Sequence, residues 1–190
     1  MRPFVKKHLD SFLKGREDTE INFVPFWGGV PDIKGVLDIS CLSNWFYRDM
    51  TYQGHVFLTA EHAMMWSKAN YFNDTDAKQR ILKVKTPREA KMIGREVRNF
   101  NQHRWSEDSY HLVGEVVHAK FTSQGNENLK AFLLNFPDNT IFIEASPYDK
   151  IWGVGMDRNH ANIFNPDQWL GDNKLGFILT ELRQTLSEKE

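Results

Sequence analysis

The stretch Thr59–Phe72, TAEHAMMWSKANYF, sets the reading of the whole chain. Thr59 is placed to cap a helix, its hydroxyl accepting a first-turn N–H. Glu61 then falls in the first turn, where the helix dipole favours a negative charge. Glu61 and Lys68 are seven positions apart and so project from one face, two turns from each other. His62 adds an imidazole and Trp66 an aromatic ring within the same few turns. Two readings stand on spacing alone: an acid and an amine converging on one reactive face, or the polar side of a core helix.

Working outward, the chain predicts many helices and few strands. Ile21–Trp27 (INFVPFW) is short, apolar and aromatic, and reads as a strand ending at Gly28-Gly29. Val30–Ser40 reads as loop with a brief strand. Met50–Leu58 reads as two short extended pieces around Gly54. Asp74-Thr75 opens a helix to about Lys83. Thr86-Pro87-Arg88-Glu89 combines a capping box with Pro at the first helical position, and Ala90, Ile93, Gly94 and Val97 face inward. Asn99–Arg104 reads as a polar loop, after which Ser106 caps a helix to about Thr122. Val113, Val116, Val117, Lys120 and Phe121 share parts of its broad face. Asn126 caps a further helix, Glu127–Asn135. Asn139–Ala145 (NTIFIEA) is the clearest strand. Met156–Gly171 reads as a long loop, and Asn173 starts a last helix with an apolar stripe of Leu175, Ile178, Leu179, Leu182 and Leu186. Helices and short strands that do not alternate predict an α+β, predominantly helical single domain with a few short strands. The first twenty residues form an N-terminal extension, where Phe4, Val5, Leu9, Phe12 and Leu13 recur at the spacing of a short amphipathic helix; the domain proper is residues 21–190.

Bulk properties bound the function. The chain has 190 residues, enough for a real core, with 26% charged and 41% hydrophobic residues. Its formal net charge of −1 advertises no global basic field for nucleic acid. The single cysteine, Cys41, gives no intrachain disulfide or thiolate cluster and suits a reducing cytoplasm. No apolar run approaches the roughly 20 residues that span a bilayer, and the N-terminus lacks an apolar signal-type core. The expectation is a cytoplasmic protein without membrane attachment. The seven histidines show no HExxH or other ligand spacing, so no metal is expected. Six tryptophans and fourteen phenylalanines stand out; most must be core, but some Trp sit among polar and glycine residues, as in a wall for a flat ligand.

Two further stretches carry candidate chemistry. The loop after the clearest strand, Glu144–Gly155 (EASPYDKIWGVG), offers Ser146, Asp149 and Lys150 beside the rings of Tyr148 and Trp152. Gly153 and Gly155 would let backbone approach a ligand. A purely structural turn, with Asp149 capping and Trp152 packing, is the competing reading. The glycines match neither GxGxxG nor a P-loop, and no GxSxG elbow is present. Arg95, Arg98, Arg104, His118 and Lys120 lie on polar helix faces and would hold phosphate if they converge.

Read together, Ile21–Phe23 (INF), Leu42–Phe46 (LSNWF), Thr59–His62 and Trp66–Ala69 (TAEH, WSKA), Gly94-Arg95, Trp105-Ser106, His118–Phe121 (HAKF), Glu144–Gly155 and Gly171–Arg183 (GDNKLGFILTELR) closely resemble the YbiA-like family, also called the NADAR superfamily. The resemblance covers about Ile21 to Leu186. It implies a YbiA-like fold and an N-glycosidase that needs no cofactor or metal. It also implies a small substrate: a ribosylaminopyrimidine phosphate of the riboflavin pathway, or ADP-ribosylated guanine, which extends the expected partners to modified nucleic acid. Such a reaction has an oxocarbenium-like transition state at ribose C1′, a poor nitrogen leaving group, a flat base and a phosphate. The resemblance assigns Glu61 as the essential carboxylate, Asp149 as the second, and Lys68 as electrostatic partner or Schiff-base nucleophile. Trp105 and Trp152 become aromatic walls, Asn44, Ser146 and Asn173 hydrogen-bonding residues, Gly153 a point of backbone approach, and Arg95 and Lys120 phosphate contacts. Glu61, Lys68, Asp149 and Trp152 are then expected to line one pocket. The long Val154–Leu170 segment departs from the family pattern and is expected to form a lid or alter substrate size. The alternative function is a non-catalytic module that binds ADP-ribose or a related nucleotide.

Overall fold

A computed structural model describes residues 1–16 and 18–188. In chain order the helices are α1 (Pro3–Leu13), α2 (Ala60–Tyr71), α3 (Thr75–Ile81), α4 (Pro87–Arg95), α5 (Gln102–Thr122), α6 (Glu127–Leu134) and α7 (Lys174–Ser187). The strands are β1 (Asn22–Phe26), β2 (Met50–Tyr52), β3 (His55–Phe57) and β4 (Thr140–Glu144). This is the predominantly helical α+β class. The chain divides into two compact units, residues 1–28 with 132 onward, and residues 29–131. The N-terminal extension is therefore part of the first unit.

In the first unit β1 and β4 pair in parallel, from Asn22 opposite Thr140 to Phe26 opposite Glu144. All five residues of β4 are buried, as expected for a strand covered on both faces. Among the described residues no third strand continues the ladder; side chains at and within α7 do so instead. Asn173 accepts the Glu144 N–H at 2.9 Å and donates to the Phe142 carbonyl at 2.9 Å, and the Thr180 hydroxyl accepts the Phe142 N–H at 3.1 Å. Asn173 takes a left-handed conformation, φ 55°, which Asn tolerates better than most residues. A Cβ on Gly176 would lie 2.2 Å from the Phe142 carbonyl oxygen, so only glycine lets α7 approach this close. The α7 stripe (Leu175, Ile178, Leu179, Leu182 and Leu186) is buried as its spacing predicts. The amphipathic α1 buries Val5, Leu9 and Phe12 within the same unit. The His8 ring lies 5.1 Å from that of Phe177 of α7.

The second unit is built on α2. Nine of its twelve residues are buried, Glu61 and His62 among them, and it contacts α3, α4, α5 and β3. A helix covered nearly all round belongs to a core. Thr59 caps it, accepting the His62 N–H at 3.3 Å. Gly94 permits close packing against α4, since a Cβ there would lie 2.1 Å from the Met65 sulfur. The capping box of Thr86 and Glu89 is formed in full. β2 and β3 make an antiparallel hairpin through Gln53 and Gly54, both at positive φ, the backbone that a two-residue hairpin turn requires.

Two local expectations change. The helix expected after Ser106 begins at Gln102, capped by Asn101, whose side chain accepts the Arg104 N–H at 3.0 Å. Ser106 lies inside it, donating to the Gln102 carbonyl. Gln102–Arg104, read as the end of a polar loop, thus form a first helical turn with Asn101 as its cap. The brief strand expected in Val30–Ser40 is not formed; a 3-10 helix, Ile39–Leu42, follows instead, capped by Asp38. The Asn126 amide nitrogen donates to the carbonyls of Asp49 and Lys120, tying the hairpin approach to the end of α5. The segment 154–170, expected to form a lid or alter substrate size, packs within its unit: Val154, Met156, Ile163 and Trp169 are buried. The Trp169 indole donates to the Ile163 carbonyl at 2.8 Å.

Candidate functional site

The amine of Lys68 is the most elaborately surrounded functional group on α2. Its Nζ donates to the Gly94 carbonyl at 2.7 Å, lies 4.1 Å from the Phe100 ring centre and 5.8 Å from that of Trp105. Burial lowers its pKa from the usual lysine value, because desolvation disfavours the ammonium. The rings form a continuous wall: Phe72 and Phe100 lie 5.2 Å apart, and Trp105 is 6.3 Å from both Tyr71 and Phe72. Arg104 lies 4.9 Å over the Tyr71 ring, whose hydroxyl is hydrogen-bonded to Asp108.

Two turns back along the same face, about 10 Å by helical rise, Glu61 is 5% exposed. Its backbone N–H donates to the Asn44 carbonyl at 2.9 Å. Asn44 is itself buried, and its side-chain oxygen has no hydrogen-bond partner among the described residues. A buried carboxylate in a helix first turn beside a buried amide acceptor is an uncommon core arrangement. Next to Glu61, His62 shares a hydrogen bond with the Thr59 hydroxyl at 2.8 Å, and burial lowers its pKa. Burial pushes the Cys41 thiol up to about 12, which disfavours the thiolate.

Other expected site residues take structural places. The Lys120 ammonium is 1% exposed and donates to the carbonyls of Cys41 and Ser43, so it holds the end of the 3-10 helix rather than a surface phosphate. Arg95 is exposed at the last turn of α4. Asn173 has both ends of its amide on the β4 backbone and so serves the sheet, not a ligand. Gly153 meets backbone rather than open space: an added Cβ would lie 2.7 Å from the Glu144 carbonyl oxygen. One oxygen of Asp149 accepts the N–H groups of Ile151 and Trp152 at 2.9 and 2.8 Å, which builds the turn. Ser146 is buried, with its hydroxyl 3.4 Å from the Tyr148 N–H, and Trp152 is half-buried. Asp149, Ser146 and Trp152 belong to the first unit, Glu61, Lys68, Asn44 and Trp105 to the second.

Sequence reading missed Phe100, Tyr71 and Asp108 around Lys68, and named Arg104 only as a phosphate candidate. Phe100 is an aromatic amid polar neighbours, a signal obscured by reading 99–104 as loop. Two clefts in the second unit, of about 420 and 300 Å3, lie elsewhere and meet at Tyr47 and Arg48. They do not include Glu61 or Lys68, and the chemistry of the α2 face outweighs their size. No helix among the described residues is long and apolar enough to cross a membrane.

Asp74 supports this region from below. It caps α3 through the Ala77 N–H and accepts from the Arg98 backbone at 2.7 Å and its guanidinium at 2.9 Å. The Arg98 hydrogen bond, with further backbone donors, holds the Asp74 carboxyl well below the usual range. A carboxyl depressed in the folded state stabilises fully above its unfolded pKa of about 4 and loses that contribution as pH falls through the folded value. Asp74→Asn should therefore lower the thermal midpoint at pH 7, and the gap from the unsubstituted chain should narrow as the pH is taken below 4; differential scanning calorimetry across that range checks it.

Comparison with known proteins places this geometry. The NADAR domain family model matches residues 33–187. The chain is 36% identical over 128 residues to N-glycosidase R617 of Acanthamoeba polyphaga mimivirus, covering 67% of this chain and 74% of that protein. It is 27% identical over 171 residues to N-glycosidase YbiA of Escherichia coli (strain K12), covering 90% and 91%. The NMR structure of the E. coli protein YbiA superposes with a TM-score of 0.68 at 23% identity, over 90% of this chain and 88% of that one, which shows a shared fold. A family match over most of the length, joined to relatives named for cleaving N-glycosyl bonds, establishes that the chain belongs to the NADAR domain family.

Proposed function

We propose that this chain, a hydrolase of N-glycosyl bonds by family, cleaves the base–ribose bond of a phosphorylated or ADP-ribosylated nucleoside on the α2 face. The observation that carries this reading is the buried Glu61 on the same face as a desolvated Lys68 walled by Phe100 and Trp105. As the C1′–N bond breaks, positive charge grows on C1′ and the ring oxygen, and a low-dielectric carboxylate stabilises it strongly. The aromatic wall suits a departing flat base. The buried Asn44 oxygen suits a donor on the substrate, since an unmatched acceptor there is costly.

Lys68 has two roles open to it. As an ammonium it stabilises the leaving base. As a free amine, which its lowered pKa makes more abundant than for a surface lysine, it attacks C1′. The C1′–N bond to the base breaks, the base leaves with a proton, and the ring opens to a Schiff base that water hydrolyses. Borohydride added during turnover of ADP-ribosylated guanine or a ribosylaminopyrimidine phosphate should trap a sugar adduct on Lys68, located by peptide mass spectrometry. Turnover with no adduct would leave the electrostatic role. Release of base from neither substrate, with tight ADP-ribose binding, would instead make this a binding module.

A further inference from the structure

We infer that Asp74 is a positioning residue for Lys68, acting through Arg98 and Phe100. This rests on Lys68 being part of the reactive face. Asp74, 3% exposed, grips Arg98 by backbone and side chain together. Asn99 follows at φ 58°, a left-handed residue that reverses the chain immediately after the grip. Phe100 comes next, 40% exposed, with its ring 4.1 Å from the Lys68 Nζ and 5.2 Å from the Phe72 ring. The carbonyl of Gly94 takes one Lys68 N–H from the other side. A lysine side chain has large rotamer freedom. Here it is held between a carbonyl and a ring, and the ring's place is set by a carboxylate three links away. Arg98 itself is 66% exposed, so its anchoring comes from Asp74 rather than from burial. Holding a reacting group in one geometry acts on turnover rather than on affinity.

The test reads Lys68 directly. Reductive 13C-methylation of the folded chain, with the Lys68 signal assigned by its loss in Lys68→Arg, should give a methyl resonance shifted upfield by the Phe100 ring current. Phe100→Leu, a partly exposed position that tolerates the change, should remove the shift. Asp74→Asn should remove it too, although Asp74 touches neither Lys68 nor Phe100 through any of the hydrogen bonds above. Retention of the shift in folded Asp74→Asn overturns the proposal. On unmodified protein, each substitution should lower kcat on the order of tenfold with KM little changed, and the double variant should be no worse than either single one. Fully additive losses, or losses confined to KM, also overturn it. Wild-type turnover in Lys68→Ala would sink the role of Lys68 itself, a failure the ring-current shift does not share.

Discussion

Glu61→Gln is expected to lower turnover about 10²–10³-fold while the chain stays folded. The substitution keeps the shape and hydrogen-bonding reach of a side chain that is 5% exposed, so packing around Ala60, Ala63 and Met64 is preserved. What it removes is the carboxylate assigned to stabilise charge at C1′. The transition state of base release carries positive charge at C1′, and a neutral amide stabilises it far less than a carboxylate does. The ground state is uncharged at that carbon, so the loss falls on kcat and only weakly on KM. In the folded protein the amide also loses a favourable helix-dipole interaction, worth about 0.3–1 kcal/mol, partly offset by relief of burying a charge. The thermal midpoint should therefore move little. Base release followed by liquid chromatography, with a melting curve on the same preparation, gives both readouts. Full activity in a folded variant would remove Glu61 from its assigned role.

The largest effect on stability is expected at Asn173→Ala, on the order of 4 kcal/mol. Its amide satisfies two buried backbone groups on β4, the Glu144 N–H and the Phe142 carbonyl. Leaving each unpaired costs about 1–3 kcal/mol. Alanine also fits a φ of 55° less well than asparagine, adding about 1 kcal/mol. Asn173 is 0% exposed, so water cannot readily replace the lost partners. Chemical denaturation should show a lower midpoint with an unchanged slope. Under conditions where the variant remains folded, its KM should match that of the unsubstituted chain, because the side chain serves the sheet edge. A raised KM in folded protein, with normal stability, would return Asn173 to the ligand-contacting role that the family resemblance implies.

These two residues mark where reading the chain succeeds and where it stops. Helix positions were legible wherever the signal is local. The Thr59 cap, the Thr86–Glu89 box and the α7 stripe all arise from neighbours within a turn or two, and all are formed. The placement of Glu61 and Lys68 on one face follows from helical period alone. The start of α5 was misplaced because Asn101 and Ser106 are both competent caps, and local chemistry does not choose between them. Tertiary structure decided which polar residues serve the backbone. Asn173 and Lys120 look like ligand contacts in the chain, yet each is bonded to carbonyls or N–H groups of residues distant in sequence. Burial decided the rest. The polar side of a surface helix and the polar side of a buried one have the same spacing, and only the packing of α3, α4 and α5 around α2 buries Glu61 and half-buries Lys68. Period places two groups on one face; the burial that sets their surroundings comes from chain segments far away in sequence.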